Sequence, residues 1–144
     1  MGLFHYTYPG TLRVDRSHLK IEEDGRRLCV TGGRAFTDRG FVWDMLSQIH
    51  LATPIVELGA GCARGVDWFA LMWAEDRDIP WRRYVADWEG LGRKKAGPAR
   101  NGAMLKDFQP DSLLVFPGGN GTTNCARQAR LLGIPRTFFE SGHE

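Results

Sequence analysis

The stretch VFPGGNGTTNCARQA, from Val115 to Ala129, places Gly118, Gly119 and Gly121 between an apolar run and a helical pattern. The apolar run begins upstream in SLLVF, and the spacing predicts a helix from about Thr122 to Leu132. Glycine loses more backbone entropy on folding than any other residue and buries no side chain, so such a cluster needs a reason. We expect a ligand to approach this backbone closely.

The same order of β-type run, glycine turn and helical pattern occurs twice upstream. RRLCVTGG precedes a helix predicted from Thr37 or Asp38 to about Leu51, and PIVELGAG precedes a second helix. WRRYVAD predicts a third strand, followed by a long loop and a helix near Ala99 to Phe108, and PRTFFE predicts the last strand. Strands alternating with helices predict an α/β fold with a mostly parallel sheet of about five strands, covered on both faces.

The first 25 residues have a different pattern from the rest. LFHYTYPGTLRVD carries β-favouring residues on both sides of Pro9-Gly10, a turn signal, and predicts a small hairpin or an arm. We therefore divide the chain into an N-terminal arm or hairpin, 1–25, and a main domain, 26–144. At 144 residues, one core suffices.

The overall composition excludes several classes of protein. The 19 basic and 17 acidic residues give a formal charge of +2, which favours neither a nucleic-acid partner nor a membrane surface, so any basic site must be local. Three cysteines and four histidines show no metal-ligand spacing, and we expect no metal and no cofactor. The odd cysteine count and the lack of a signal peptide or an apolar run of about 20 residues predict a cytoplasmic protein.

The glycine clusters all follow predicted strands and precede predicted helices. In an open α/β sheet these positions share the carboxyl edge, where ligands usually bind, and helix N-termini there offer free N–H groups to an anion. We expect a phosphate-binding site, in which Thr122 and Thr123 either cap the helix or donate hydrogen bonds from their hydroxyls to the phosphate. The alternative is that each cluster is only a tight turn. Neither a P-loop nor a G-x-G-x-x-G fingerprint is present, which disfavours a nucleotide triphosphatase or an ordinary dehydrogenase.

Four segments resemble, in this order, the SLOG superfamily, especially the small bacterial and phage YspA-like branch related to YpsA. They are VTGGRAFTDRGFV, GAGCARGVDWFA, ADWEGLGRKKAGPARNGAML and VFPGGNGTTNCARQA. The resemblance covers about Arg26 to Glu140 and implies a Rossmann-like three-layer fold. Members of the superfamily include the LOG-type phosphoribohydrolases, sensors of nucleotide-derived ligands and the DNA-processing protein DprA.

The LOG pattern P-G-G-x-G-T-x-x-E can be carried over position by position. It falls on Pro117, Gly118, Gly119, Asn120, Gly121, Thr122, Thr123, Asn124 and Cys125, so a cysteine stands where the family has its glutamate. Arg100, with Met104 behind it, resembles the family's catalytic arginine, and its guanidinium would hold a phosphate in a bidentate fashion. Hydrolysis would then need a carboxylate from elsewhere, at Asp67, Asp87 or Glu89.

Several further residues have two possible roles. Arg34 and Arg64 follow glycine turns and either contact the ligand or are solvated. Asp67 either stabilises its helix dipole or bonds a ribose hydroxyl, and Trp88 either stacks on a base or covers the sheet edge. Cys125 is interpreted as a packed cysteine rather than a nucleophile. Besides the motif residues from Pro117 to Thr123, the expected ligand-binding residues are Gly32, Gly33, Arg34, Gly61, Arg64, Asp67, Asp87, Trp88, Arg100 and Met104.

The function expected first is the binding of a nucleotide or nucleotide-derived metabolite across the glycine loops, for sensing or sequestration. The alternative is an N-glycosidase of the LOG type in which Arg100, with Asp67 as a weaker candidate, carries the catalysis. Binding of single-stranded nucleic acid, by analogy with DprA, is disfavoured by the balanced charge. The resemblance also implies a homodimer or higher homo-oligomer, and no membrane partner is expected.

Overall fold

The structure is a computed structural model that describes residues 4–8, 11–14 and 25–140, with side chains in the last range only. In chain order the elements are β1 (Phe4–Tyr8), β2 (Thr11–Val14), β3 (Arg26–Thr31), α1 (Arg39–Ala52), β4 (Ile55–Ala60), α2 (Val66–Asp76), β5 (Trp81–Tyr84), α3 (Trp88–Leu91), α4 (Arg93–Phe108), β6 (Ser112–Val115), α5 (Asn120–Leu131) and β7 (Arg136–Phe138). No helix in this described part is long and apolar enough to cross a bilayer.

The strands form one sheet in the order β1-β2-β5-β4-β3-β6-β7. The five strands from β5 to β7 in this order are parallel, whereas β1 and β2 form an antiparallel hairpin that pairs with the free edge of β5. The chain thus confirms the expected α/β fold, with a mostly parallel sheet of about five strands and an N-terminal hairpin. The division of the chain at residue 25 stays a prediction.

The two faces of the sheet carry separate hydrophobic cores. Helices α1 and α2 pack together over one core, and α4 and α5 pack together over the other. Strand β3 is buried on both faces: Leu28 and Val30 point into the first core and Cys29 into the second. Because the chain winds outward from β3 to β5 and then returns to β6, the topological switch point lies between β3 and β6. Ligands of doubly wound sheets bind at that point.

Helix α4 is held against the sheet by a partly buried polar network. Arg82 of β5 donates to Glu57 of β4 at 2.9 Å and to Asp107 of α4 at 3.2 Å. The hydroxyl of Tyr84 donates to the same Asp107 carboxylate at 2.5 Å, and burial raises the pKa of Tyr84 well above its usual value. The network fixes the end of α4 and, with it, the position of the residues earlier on that helix.

Two helix boundaries differ from the sequence predictions. The region expected to be a long loop forms α3 and the first turns of α4, and α4 continues through Pro98. Proline lacks the N–H that a helix interior uses, which is why the local pattern indicated a loop. Helix α5 begins at Asn120 rather than Thr122, so both threonines lie inside its first turn.

Candidate functional site

Three loops meet at the carboxyl edge of the sheet, as expected. The N–H of Gly33, after β3, donates to the carbonyl of Pro117, after β6, at 2.8 Å. The N–H of Val66, at the start of α2, donates to the carbonyl of Gly33 at 3.3 Å. These backbone bonds join the loops directly, so the starts of α2 and α5 are held together beside the switch point.

The glycines of these loops have two different roles. Gly65 has a φ of +76°, and a Cβ there would lie 2.8 Å from the carbonyl oxygen of Arg34. A Cβ on Gly118 would lie 2.7 Å from the N of Gly33, so Gly118 has a packing role that its sequence context does not reveal. Around Gly119 and Gly121, by contrast, a Cβ would meet no atom within 4 Å. These two glycines leave the backbone at the start of α5 open.

A cleft of about 1100 Å³ lies in front of these loops. Its volume is slightly above the usual range for small-molecule sites, so a nucleotide fits within it. The lining residues are Thr31, Gly32, Gly33, Arg34, Ala63, Asp67, Trp88, Arg93, Lys94, Gly97, Pro98, Arg100, Gly119, Asn120, Gly121, Thr122, Thr123, Asn124 and Arg127.

The N-terminus of α5 faces this cleft without a side-chain cap. Gly119 is the N-cap residue and has no side chain to accept from the first-turn N–H groups. Capping by Thr122 or Thr123, one of the two roles considered for them, therefore does not occur. The partial positive charge of the helix end and its free donors are suited to an anion.

The charges of the cleft favour an anion more strongly than the charge of the whole chain does. Among the side chains that the structure describes, five cationic groups and one carboxyl group line it. The cations are Arg34, Arg93, Lys94, Arg100 and Arg127, and the carboxyl group belongs to Asp67. A balanced chain thus concentrates positive charge at one place, where a phosphate-bearing ligand would be attracted.

Arg100 extends from α4 toward the second glycine loop. Its Nε donates to Asn101 at 3.0 Å, and its Nη1 lies 3.4 Å from the carbonyl oxygen of Tyr84 and 3.6 Å from Sγ of Cys62. Among the residues described, Nη2 has no hydrogen-bond partner. Because a guanidinium carries five N–H donors, Arg100 retains donors for a ligand.

Asn101 connects Arg100 to the start of α5. It is 2% exposed, and its Nδ2 donates at 3.2 Å to the carbonyl of Gly121 and to Oδ1 of Asn124. Gln128 donates to the same Asn124 oxygen at 2.7 Å and to the carbonyl of Pro98 at 2.9 Å. The amide network therefore sets the guanidinium against the open helix end.

Asp67 lies at the floor of the cleft in the first turn of α2. Its side chain is almost fully enclosed, at 4% exposure of the residue, and its Oδ2 accepts from the N–H of Ala63 at 3.3 Å. Oδ1 is buried without a hydrogen-bond partner among the described residues. Burial raises the pKa of this carboxyl group to about 7, although Arg100, the Ala63 N–H and Arg34 each lower it. Near neutral pH the group can therefore hold or release a proton.

Trp88 and Arg34 form the rim on the far side of the cleft. Trp88 is 41% exposed at the start of α3, and the guanidinium of Arg34 lies 5.9 Å from the centre of its ring. The edge of the ring faces Gly97 of α4, where a Cβ would lie 3.9 Å away. An exposed indole beside cations is suited to a flat, electron-rich ring such as a nucleobase.

Cys125 lies in the second core, not in the cleft. It is fully buried, and burial raises the pKa of its thiol to about 12. This placement agrees with its interpretation as a packed cysteine, because a thiol of such high pKa is a poor nucleophile. No group of three or more His, Cys, Asp or Glu side chains that could hold a metal ion occurs within the described ranges.

The cleft brings together most of the residues selected from the sequence. Those that line it are Gly32, Gly33, Arg34, Asp67, Trp88, Arg100, Gly119, Asn120, Gly121, Thr122 and Thr123. Those that do not are Gly61, Arg64, Asp87, Met104, Pro117 and Gly118. Gly61, Pro117 and Gly118 lie behind the floor as packing elements, Asp87 caps α3 through the N–H of Gly90, and Met104 is buried in the second core. Arg64 is exposed outside the cleft.

The structure adds lining residues that were not selected. Arg93 and Lys94 belong to a basic run whose local pattern is that of a solvated loop, but in the structure this run begins α4. Arg127 was missed, although it lies one helical turn after Thr123 on the same face of α5, which is the available signal. Asn124, which the sequence analysis names only as a position of the motif, also lines the cleft.

Comparison with known proteins gives both a sequence and a fold relationship. The sequence model of the YspA, cpYpsA-related SLOG family matches residues 26–90. The chain is 39% identical over 122 residues to the Gene 61 protein of Mycobacterium phage D29, and this match covers 79% of the chain and 96% of the phage protein.

Two solved structures are similar in fold. DNA processing protein A (DprA) from Helicobacter pylori, described with a single-stranded DNA binding mode, matches with a TM-score of 0.59 at 16% identity, over 93% of this chain and 74% of that one. UDP-GlcNAc 2-epimerase from Neisseria meningitidis matches with a TM-score of 0.48 at 19% identity, over 80% of this chain and 32% of that one. The first supports the fold, and the second is too distant to support an argument.

Proposed function

The chain belongs to the YspA, cpYpsA-related SLOG family, and from that premise we propose that it binds a nucleotide or nucleotide-derived metabolite in the cleft. The phosphate would lie at the N-terminus of α5, beside Arg100. The base would lie toward Trp88. The protein would sense or sequester this ligand.

The proposal rests mainly on one observation: five cationic side chains line the cleft that the N-terminus of α5 faces, and this N-terminus lacks a side-chain cap and has no Cβ at Gly119 and Gly121. Glycine alone would indicate a turn, and cations alone would indicate a solvated surface. Together they supply backbone donors, a favourable dipole and bidentate guanidinium groups to one anion. The glycines that pack loops together are at other positions, which leaves Gly119 and Gly121 to this role.

Calorimetric titration with AMP and with inorganic phosphate tests the proposal. Arg127 and Arg130 are both exposed arginines of α5, but only Arg127 lines the cleft. We expect Arg127→Ala to weaken AMP binding about three- to tenfold and Arg130→Ala to leave it unchanged. Equal effects of the two substitutions, or the absence of binding by either probe to the unmodified protein, would contradict the proposal.

Hydrolysis of an N-glycosidic bond is the second candidate, because Asp67 holds a titratable proton beside Arg100. Water would add its oxygen to the anomeric carbon as the bond to the base breaks, Asp67 would give its proton to the leaving base, and the proton released by the water would return to Asp67. Binding without turnover is placed first because the position of the family's glutamate is occupied by Cys125, buried in the second core. Chromatography of AMP incubated with the protein decides: adenine and ribose 5-phosphate released by the unmodified protein, but not by Asp67→Asn, would establish hydrolysis.

Single-stranded DNA is the third ligand to test, since the related fold of DprA is described with that binding mode. A fluorescent oligo(dT) titrated at about 50 mM and about 200 mM salt would show a steep loss of affinity if several phosphates are bound. Oligonucleotide binding that depends on Arg127, without binding of AMP, would replace the nucleotide proposal. Binding of AMP without binding of oligo(dT) would support it.

A further inference from the structure

The buried carboxyl group of Asp67 is the feature of the cleft that phosphate recognition does not explain. Its Oδ1 is enclosed without a hydrogen-bond partner among the described residues, which costs free energy in either protonation state. Stabilising the dipole of α2 does not require burial, because an acidic residue at an exposed position of the first turn would do so without the free-energy cost of burying a carboxyl group. The burial of this carboxyl group therefore points to a ligand group that pairs with Oδ1.

Asp67 and Arg100 are close neighbours across Gly61. A Cβ built on Gly61 would lie 2.8 Å from Oδ2 of Asp67 and 2.6 Å from Cζ of Arg100, so only glycine allows the two side chains to occupy this space. A group bound by Asp67 is consequently adjacent to an anion bound by Arg100. Both groups belong to one ligand if that ligand carries them on neighbouring atoms.

The surrounding charges limit what that group can be. A second anion would be repelled by the ionised carboxylate, and a cation would be repelled by the five basic side chains that line the cleft. A hydroxyl is neutral and both donates and accepts, so it can bond a carboxylate by donating and a protonated carboxyl by accepting. Among the neutral groups of a nucleotide, the sugar hydroxyls are those near the phosphate.

We propose that Oδ1 of Asp67 pairs with a ribose hydroxyl of the ligand, so that the cleft selects ribonucleotides over their deoxy analogues. The inference rests on the proposed nucleotide binding and adds the class of nucleotide to it. If the hydroxyl is the 2′-hydroxyl, the same contact separates the cleft from a DNA-binding groove, because DNA lacks that group.

The test is the affinity ratio between AMP and its 2′-deoxy and 3′-deoxy analogues, measured by calorimetry. One of the two analogues is expected to bind about tenfold or more weakly, since a hydrogen bond between a hydroxyl and a buried carboxylate is lost. Using a ratio removes the general effect of the negative charge of Asp67 on anions. Equal affinities of all three nucleotides would overturn the inference while leaving phosphate binding standing, and failure of all three and of inorganic phosphate to bind would overturn both.

Substitution shows whether Asp67 is the discriminating group. Asp67→Ala is expected to bring the ratio close to one, whereas Asp44→Asn, an exposed change on α1 outside the cleft, is expected to keep it. Asp67→Asn preserves the shape of the side chain, so a lowered ratio in this variant keeps the test valid if the alanine variant does not fold. Inorganic phosphate should bind Asp67→Asn at least as well as the unmodified protein. Weaker phosphate binding would place the carboxyl group against the phosphate and overturn the inference.

Discussion

Replacing Asp67 by asparagine is expected to change how the stability of the protein depends on pH. Burial raises the pKa of this carboxyl group from 3.8 to about 7 in the folded chain. Between these values the folded state binds a proton that the unfolded state does not. The stability that this proton uptake contributes is therefore complete below the unfolded pKa and is lost as the pH rises through about 7.

The size of the effect follows from the same shift. The range from about pH 5 to about pH 8 includes about two pH units below the folded pKa of Asp67. Over each of these units the free energy of unfolding changes by about 1.4 kcal/mol. The unmodified protein should therefore lose about 2.5 kcal/mol of unfolding free energy over this range relative to Asp67→Asn. Contributions from His50 and from surface groups are common to both proteins and cancel in the comparison.

Urea unfolding of both proteins at the two pH values measures this difference. Trp73 is fully buried and reports the transition by fluorescence, and equal slopes with urea would show that the same surface is exposed. Protein refolded from urea should be used, so that a retained ligand does not contribute. A stability difference between the two proteins that is the same at both pH values would contradict the raised pKa of Asp67.

Three further outcomes are expected. Gly118→Ala should destabilise the fold by about 1–3 kcal/mol through overpacking, whereas Gly121→Ala should stabilise α5 by up to about 1 kcal/mol and yet weaken AMP binding. Urea unfolding and calorimetry measure the two effects, and AMP binding unaffected by Gly121→Ala would contradict a phosphate site at the open start of α5. Asn101→Ala should weaken AMP binding about three- to tenfold by releasing Arg100. Asn101→Gln should not restore the affinity, because the longer side chain would not place its amide at the same distance from its partners. AMP binding by Asn101→Ala as tight as in the unmodified protein would show that Arg100 needs no support from Asn101. Burial lowers the pKa of His50, whose Nδ1 accepts a hydrogen bond from a backbone N–H, so the stability of the protein falls as the pH drops below about 6.5. The variant His50→Gln should lose less stability on acidification than the unmodified protein. An equal loss in the urea assay would contradict this role of His50.

The layered fold was accessible from the sequence because its signals are local. Apolar runs that end in glycine, such as RRLCVTGG, mark strands at the carboxyl edge, and the hairpin follows from residues around Pro9-Gly10. Their convergence follows from the general geometry of parallel sheets. The docking of β2 against β5 could not be predicted, because several edges are open to a hairpin by pattern alone.

The site could be predicted only in part from the sequence, because much of it depends on how the helices pack against one another. Gly92 and Pro98 indicate a loop locally, but the packing of α4 against α5 keeps the helix continuous and brings Arg93 and Lys94 to the cleft. The role of Gly118 depends on Gly33, far away in the chain. The homo-oligomer implied by the family resemblance stays a prediction.

We expect Arg100 and the open start of α5 to bind a phosphate-bearing nucleotide. Native mass spectrometry of the unmodified protein and of Arg100→Ala, each in excess AMP, tests it most directly. The proposal expects a complex with one AMP per chain that is abundant for the unmodified protein and strongly reduced for the variant. Equal occupancy in the two proteins, or no complex in the unmodified protein, would contradict it.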